Sequence, residues 1–494
     1  MSGTTSREPR LFEKTLANLA DAWREVSAGA ARTVGRIASA DDRVDPSDLR
    51  TLMRACVESR GGEVSARGRA AELGRRYLAM DRQSRYVFFD ILAREFACSD
   101  TQIAAAVDAY LVAADRVARR EAETLLRRKL TPPRQTVLRQ FNAMPEGTKF
   151  LVDMRADLID LLETNPELRL LDEDLREILT AWFDVGLLDF HAISWQSSAA
   201  LLEKLIAYEA VHEIRDWDDL RDRLDSDRRC YALFHPRMPQ EPLAFIEVAL
   251  TRTMAGSIQG LLNEAAPPGD PNEARAAVFY SISNTQRGLL GISFGEYLIK
   301  QVVGQLHGEL PQLHTFATLS PIPCFRSWLS RVSPAMVRAL TDEDERNALT
   351  AAAGINDPHT ALKRLVERMG EGDDNTADSL LNGPMIRLCA RYFLDRRSDG
   401  APVDPVARFH LKNGARLERI NLRGDVSAKG IRQAAGLMVN YRYDRGEMET
   451  NHEAYVRAGR IALSNEITGL LRGWKDPDGT PLRQLAMSGD AAME

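Results

Sequence analysis

Ala276-Ala-Val-Phe-Tyr-Ser-Ile282 and His314-Thr-Phe-Ala-Thr-Leu319 are two short apolar runs of strand length and composition. Between them Leu298, Ile299, Val302, Val303 and Leu306 recur at helical spacing and share one face. Strand, helix, strand is the unit from which α/β sheets are built. Upstream, Cys230-Tyr-Ala-Leu-Phe-His235 and Leu243-Ala-Phe-Ile-Glu-Val-Ala-Leu250 read as a hairpin, with Pro236, Pro239 and Pro242 in its loop. A polar linker, Pro267 to Asn272, leads from the hairpin to the next strand. Beyond residue 320 the strand signals weaken, and helices are expected near 377–396 and 427–438.

Residues 1–190 have a different character and read as helix after helix. Leu11, Phe12, Leu16, Leu19, Ala20 and Trp23 form one apolar stripe. Asp45-Pro46 places a capping residue before a proline suited to the first helical position, and Leu49, Leu52 and Met53 follow on one face. Ser99 and Asp100 precede an alanine-rich helix, and a charged helix from Arg116 to Lys129 stops at Thr131-Pro-Pro133. Further helices are expected over 148–164 and 172–186. The fold class is therefore α+β and multidomain, with an all-α helical bundle over 1–190 and an α/β domain over 191–494.

Composition narrows the function. Charged side chains, 71 acidic and 65 basic, leave a net −6, so there is no electrostatic reason to expect nucleic acid or an anionic membrane as partner. The five cysteines are odd in number and far apart, which fits a reducing compartment better than a disulfide framework. The N-terminal residues lack the apolar core of a secretory signal, and no run approaches the length of a membrane span. The expectation is a soluble, cytoplasmic protein. None of the eight histidines lies in a His-x-x-x-His or His/Cys cluster, so no metal is expected.

Four places can carry chemistry. The turn before the amphipathic helix reads Leu290, Gly291, Ile292, Ser293, Phe294, Gly295, Glu296. Backbone N–H groups at a helix N-terminus attract phosphate, and glycines let it approach; an ordinary strand-to-helix turn is the plainer reading. The same residues match G-x-S-x-G, the nucleophile elbow of α/β-hydrolases, but the elbow needs a strand directly before the serine, and Ser283-Asn-Thr-Gln-Arg-Gly288 is poor strand material. Ser320 follows a strand and precedes Pro321, and Pro323 stiffens the next step, so the chain is expected to leave the sheet in a rigid turn. That puts its hydroxyl at the carboxyl end of a strand, where α/β sheets hold ligands. Its bland alternative is to cap a helix over 325–332. His410, in Val406-Ala-Arg-Phe-His-Leu-Lys-Asn-Gly414, is expected on a strand running into an Asn-Gly turn, and a lone histidine is usually structural. Tyr443 reads as packing unless it faces a cleft, where its phenol can donate.

Together these segments resemble the malonyl-CoA decarboxylase family. The resemblance rests on Tyr280-Ser-Ile-Ser283, Gly288-Leu289, Leu298-Ile-Lys300, Leu319-Ser-Pro-Ile-Pro323, His410-Leu411 with Asn413-Gly-Ala415, and Leu437-Met-Val-Asn-Tyr441. It implies a GNAT-like catalytic domain that binds CoA, with malonyl-CoA as substrate and acetyl-CoA and CO2 as products. It implies no metal, no organic cofactor, and a homo-oligomer, dimer or tetramer, held partly by the helical half. Its catalytic serine, histidine and tyrosine fall on Ser320, His410 and Tyr443, and its malonyl-CoA binding turn on Leu290 to Glu296. Two positions depart from the pattern: Ser293 stands where some members have glutamate, and Cys324 where the family has glycine after Ser-Pro-Ile-Pro.

The implied reaction sets its own demands. Loss of CO2 from a 3-carboxy thioester makes an enolate, whose oxygen needs preorganised donors, each worth about 3–4 kcal/mol. The enolate carbon then takes a proton, which a histidine titrating near pH 6.5 is suited to supply. Ser320 and His410 are accordingly expected as a hydrogen-bonded pair at the malonyl carboxylate and the reacting carbon. Three other readings compete: an acyltransferase on the same fold, a thioesterase using Ser293, and a non-catalytic CoA-binding scaffold.

Overall fold

A computed structural model of the chain describes residues 22–23, 45–58, 63–369 and 375–485. Eight helices fill the described part of the first half: Pro46–Val57, Glu63–Leu78, Arg82–Glu95, Asp100–Leu111, Arg116–Lys129, Pro133–Phe141, Gly147–Leu162 and Arg169–Trp182. Their starts have local causes. Asp45 accepts from the Ser47 N–H with Pro46 in the first turn, Asp81 accepts from Ser84, and Asp115 accepts from Val117 and Ala118. A cap of this kind is worth about 1 kcal/mol. Leu49 and Met53 are buried as expected, while Leu52 is half-buried. The stripe from Leu11 to Ala20 lies outside the described residues. Its last member, Trp23, is fully buried, with its ring 4.5 Å from that of Phe150.

Eight strands form one sheet: β1 (Asp189–Ile193), β2 (Arg228–His235), β3 (Met238–Thr251), β4 (Ala276–Asn284), β5 (Thr315–Thr318), β6 (Ser320–Pro321), β7 (Arg416–Asn421) and β8 (Met438–Arg442). Their order is β1-β2-β3-β4-β5-β8-β6, and β7 also pairs with β8. β4 and β5 run parallel, with Val278 opposite Ala317. The helix Gly295–Glu309 makes the crossover and buries Leu298, Ile299, Val302, Val303 and Leu306, the five residues that share a face in the sequence. The α+β class read from the sequence is therefore the one adopted.

The chain divides into two compact units. One holds the described residues up to Asp189 with Leu233–Leu243 and Asn284–Phe294; the other holds Phe190–Ala232, Ala244–Ser283 and everything from Gly295 onward.

Three local expectations need correction. The hairpin turn is only Pro236-Arg237, so Pro239 and Pro242 lie within β3 rather than in a loop; near the start of a strand the missing proline N–H is tolerated. The chain also stays in the sheet at Ser320. The Leu319 N–H donates to the Phe279 carbonyl, and Ser320 and Pro321 then pair antiparallel with Val439 and Met438 of β8. Finally, the stretch 427–438 holds a short helix, Ala428–Ala434, which ends where Ala435 and Gly436 take φ of 51° and 79°, and β8 follows. Among the described residues, no helix is long and apolar enough to cross a membrane.

Candidate active site

Ser320, His410 and Tyr443 lie far apart in sequence and meet in the second unit. β6 holds Ser320 opposite Val439 of β8. Tyr443 follows β8 directly, and its N–H donates to the Phe316 carbonyl. His410 is not on a strand. It sits on a helix, Pro405–Lys412, capped by Asp404, which accepts from the Ala407 N–H at 2.8 Å. Asp404-Pro405 is a strong helix-start pair, and Ala407, His410 and Leu411 are buried on one face at helical spacing, which outweighs the strand-like look of Phe409-His-Leu411. The helix ends at Asn413. Gly414 then takes φ +79°, and a Cβ there would come within 2.1 Å of the Met448 carbonyl oxygen.

Asp404 also anchors the helix from behind. It is fully buried, accepts the Tyr392 hydroxyl at 3.0 Å, and has its carboxyl pushed up by burial.

The three groups form a buried line. Tyr443 Oη is 2.7 Å from His410 Nδ1, and His410 Nε2 is 3.2 Å from Ser320 Oγ. Ser320 donates its own hydroxyl to Thr318 Oγ1 at 2.8 Å. A serine has one proton, so Ser320 must accept at its histidine contact. That places a proton on Nε2 and leaves Nδ1 to accept from the Tyr443 hydroxyl. Burial lowers the His410 pKa to about 3 and raises that of Tyr443 well above its ordinary value. The expectation of a histidine titrating near 6.5 is therefore corrected: in the free protein His410 is neutral at pH 7. Its ring stacks on Tyr441, 4.5 Å between centroids at 24°, and meets the Phe409 ring edge-on.

The expected binding turn is divided between the units. Gly295 and Glu296 open the helix Gly295–Glu309, where Glu296 pairs with Lys300 at 2.7 Å. Gly295 packs so closely on Phe409 that an added Cβ would lie 2.1 Å from its ring. In the first unit, Leu290 is exposed, Gly291 takes φ +84°, Ile292 donates its N–H to the Leu289 carbonyl, Ser293 is exposed and Phe294 is buried. Arg155 holds this turn by donating to the Gly288 and Leu290 carbonyls at 2.8 and 2.9 Å, while Asp172 pairs with its other side. The residues just before Ser293 form a 3-10 turn, Arg287–Leu289, so the strand a nucleophile elbow requires is not there. Cys324 has φ −105°, open to any residue, so the departure from glycine costs no backbone strain.

Thr318, Asp404, Tyr392 and Tyr441 were not singled out in the sequence, and neither was Arg155. Only Asp404 carried a usable signal, the proline after it. The others act through contacts between distant segments. Among the described residues, no group of three or more His, Cys, Asp or Glu is placed to hold a metal ion.

Two family models match the chain. Residues 96–183 match the family model of the malonyl-CoA decarboxylase N-terminal domain, and residues 186–479 that of the C-terminal domain. The mitochondrial malonyl-CoA decarboxylase of Anser anser anser is 34% identical over 418 residues, covering 81% of this chain and 83% of the relative. That of Mus musculus is 37% identical over 362 residues, covering 71% and 73%. The crystal structure of malonyl-CoA decarboxylase from Rhodopseudomonas palustris is 41% identical and aligns with a TM-score of 0.76 over 86% of this chain and 100% of that one. The enzyme from Agrobacterium vitis gives the same identity and TM-score over 86% and 99%.

Proposed function

The chain belongs to the malonyl-CoA decarboxylase family and is an enzyme of that class, and we propose that Ser320, His410 and Tyr443 carry its chemistry. The substrate is malonyl-CoA and the products are acetyl-CoA and CO2. The observation that supports this assignment of roles is the buried line from Tyr443 through His410 to Ser320.

The bond between the carboxylate carbon and the methylene breaks, and its electron pair becomes the enolate double bond with charge on the thioester oxygen. CO2 leaves as that bond breaks, and the methylene carbon then takes one proton. A carboxylate moved from water to a closed apolar site loses solvation, which favours departure as neutral CO2. His410 is neutral before substrate arrives. A malonyl carboxylate beside it favours the protonated ring, because an opposite charge within about 4–6 Å stabilises the charged form. The Ser320–His410 pair thus acquires the proton that the enolate carbon needs, and Tyr443 fixes the orientation of the ring. The reaction as drawn uses no metal and no organic cofactor.

Leu290 to Glu296 is the segment we assign to malonyl-CoA binding, through the N-terminus of the helix Gly295–Glu309. A homo-oligomer, dimer or tetramer, and a cytoplasmic location complete the proposal; all five cysteines are free, in keeping with a reducing compartment.

Incubation with malonyl-CoA, following CO2, acetyl-CoA and free thiol together, tests the reading. CO2 with intact thioester is expected. Free thiol would instead indicate a thioesterase, and acceptor-dependent thiol an acyltransferase. Ser320→Ala and His410→Ala should each lower kcat by about 10²–10⁴-fold; near-normal acetyl-CoA production by both would sink the assignment.

A further inference from the structure

The Asn413 side chain has no part in the scheme above, yet it is 4% exposed, and its Nδ2 has no hydrogen-bond partner among the described residues. Buried amide donors are normally satisfied, and the exceptions call for a functional reason. Asn413 points toward the start of the helix Gly295–Glu309: its Nδ2 lies 3.4 Å from where a Cβ on Gly295 would stand. The N–H groups of a helix's first turn have no acceptor within the helix and carry the positive end of its dipole. A free amide donor facing that end makes a place for a negative oxygen.

Asn413 caps the C-terminus of the helix that bears His410, three residues on, so the two side chains leave the same face. The negative oxygen created by decarboxylation is two bonds from the carbon that receives the proton. Any donor to it must therefore come from the neighbourhood of the Ser320–His410 pair, and Asn413 caps the helix that carries His410.

We propose that the Asn413 amide is a catalytic residue, donating its Nδ2–H to the thioester oxygen as that oxygen gains charge in the enolate. This rests on the decarboxylase reading. The malonyl carboxylate and the CoA phosphates are the other negative oxygens of the substrate, and the test separates them.

Asn413→Ala and Asn413→Asp are compared in the full chain, by CO2 release from malonyl-CoA and by calorimetric binding of acetyl-CoA, a product that has the CoA phosphates and thioester but no free carboxylate. Asn413 has φ −87°, so both replacements fit the backbone, and aspartate keeps the side-chain shape while replacing the donor with a charged acceptor. The expected result is a kcat lower by about 10²–10³-fold in the alanine variant and at least as low in the aspartate variant, with the KM for malonyl-CoA and the Kd for acetyl-CoA of the alanine variant changed by less than about threefold. A kcat within about threefold of wild type in the alanine variant overturns the proposal. A loss confined to KM also overturns it: with weaker acetyl-CoA binding it assigns Asn413 to the CoA phosphates, and without it to the malonyl carboxylate. A wild-type protein that releases no CO2 overturns the decarboxylase reading and this proposal with it, whereas an active Asn413→Ala variant of an active enzyme overturns this proposal alone.

Discussion

Gly295→Ala is the smallest change that should disable the site without replacing a catalytic side chain. The new methyl would stand 2.1 Å from Cε2 and 2.3 Å from Cζ of Phe409. Carbon atoms rest at about 3.5–4.0 Å, so the ring must withdraw by about 1.5 Å. Phe409 immediately precedes His410 on a helix pinned at both ends, by the Asp404 cap and by Gly414 against Met448. Part of the withdrawal must therefore be taken up by His410, whose contact with Ser320 is already 3.2 Å. Misplacement of a catalytic group by about 1 Å costs about 10²-fold in rate, and overpacking costs about 1–3 kcal/mol of stability. The assay is kcat from CO2 release beside thermal unfolding. Adding Phe409→Leu removes both colliding atoms and should restore at least about tenfold of the lost rate. If Gly295→Ala keeps kcat within about threefold of wild type, or if the double variant is no better than the single, the geometric reasoning is refuted.

Other expectations follow from the same geometry. With His410 at about 3 in the folded protein and near 6.5 when unfolded, its contribution to stability is complete above pH 6.5 and is lost as pH falls toward 3. At pH 5 that loss is about 2 kcal/mol, and a His410→Asn variant, which has no group to titrate there, should lack it; an equal change in stability between pH 8 and pH 5 for wild type and variant on urea unfolding would show that the ring is not held neutral. Tyr443→Phe removes the donor to Nδ1 and leaves that atom buried without a partner, so kcat should drop by about 10–100-fold with the fold retained, as read by circular dichroism; an unchanged kcat would remove Tyr443 from the relay. Asp404→Ala deletes a helix cap and the acceptor of the Tyr392 hydroxyl together. It should destabilise by about 2–4 kcal/mol, and a change below about 0.5 kcal/mol would show that the cap does not anchor the His410 helix.

The legible parts of this molecule were those with local causes. Asp45-Pro46 and the five-residue face from Leu298 to Leu306 named their elements because a cap or a periodic stripe acts within one segment. Ser320 was visible as a strand-end serine, but its place on β6 was not, because that depends on β8, more than a hundred residues on. His410 shows the opposite failure. The aromatic and apolar neighbours of the histidine suggest a strand, whereas the start signal at Asp404-Pro405 governs the segment. The protonation state of His410 was beyond reach, since burial among Tyr441, Phe409 and Tyr443 is a property of the assembled core and not of any window of sequence.

The shared dependence on β8 has a consequence for how this enzyme can vary. Ser320 lies in β6, His410 just ahead of β7, and Tyr443 just past β8 itself, and both β6 and β7 pair with β8. One strand thus serves as the common rail on which all three groups are indexed. The long excursion from Ile322 to Val403 meets the relay again through Tyr392, whose hydroxyl donates to Asp404. Helices of the excursion that pack on one another, such as Glu343–Ala353 and Pro358–Arg368, can change in length without resetting the spacing of the relay.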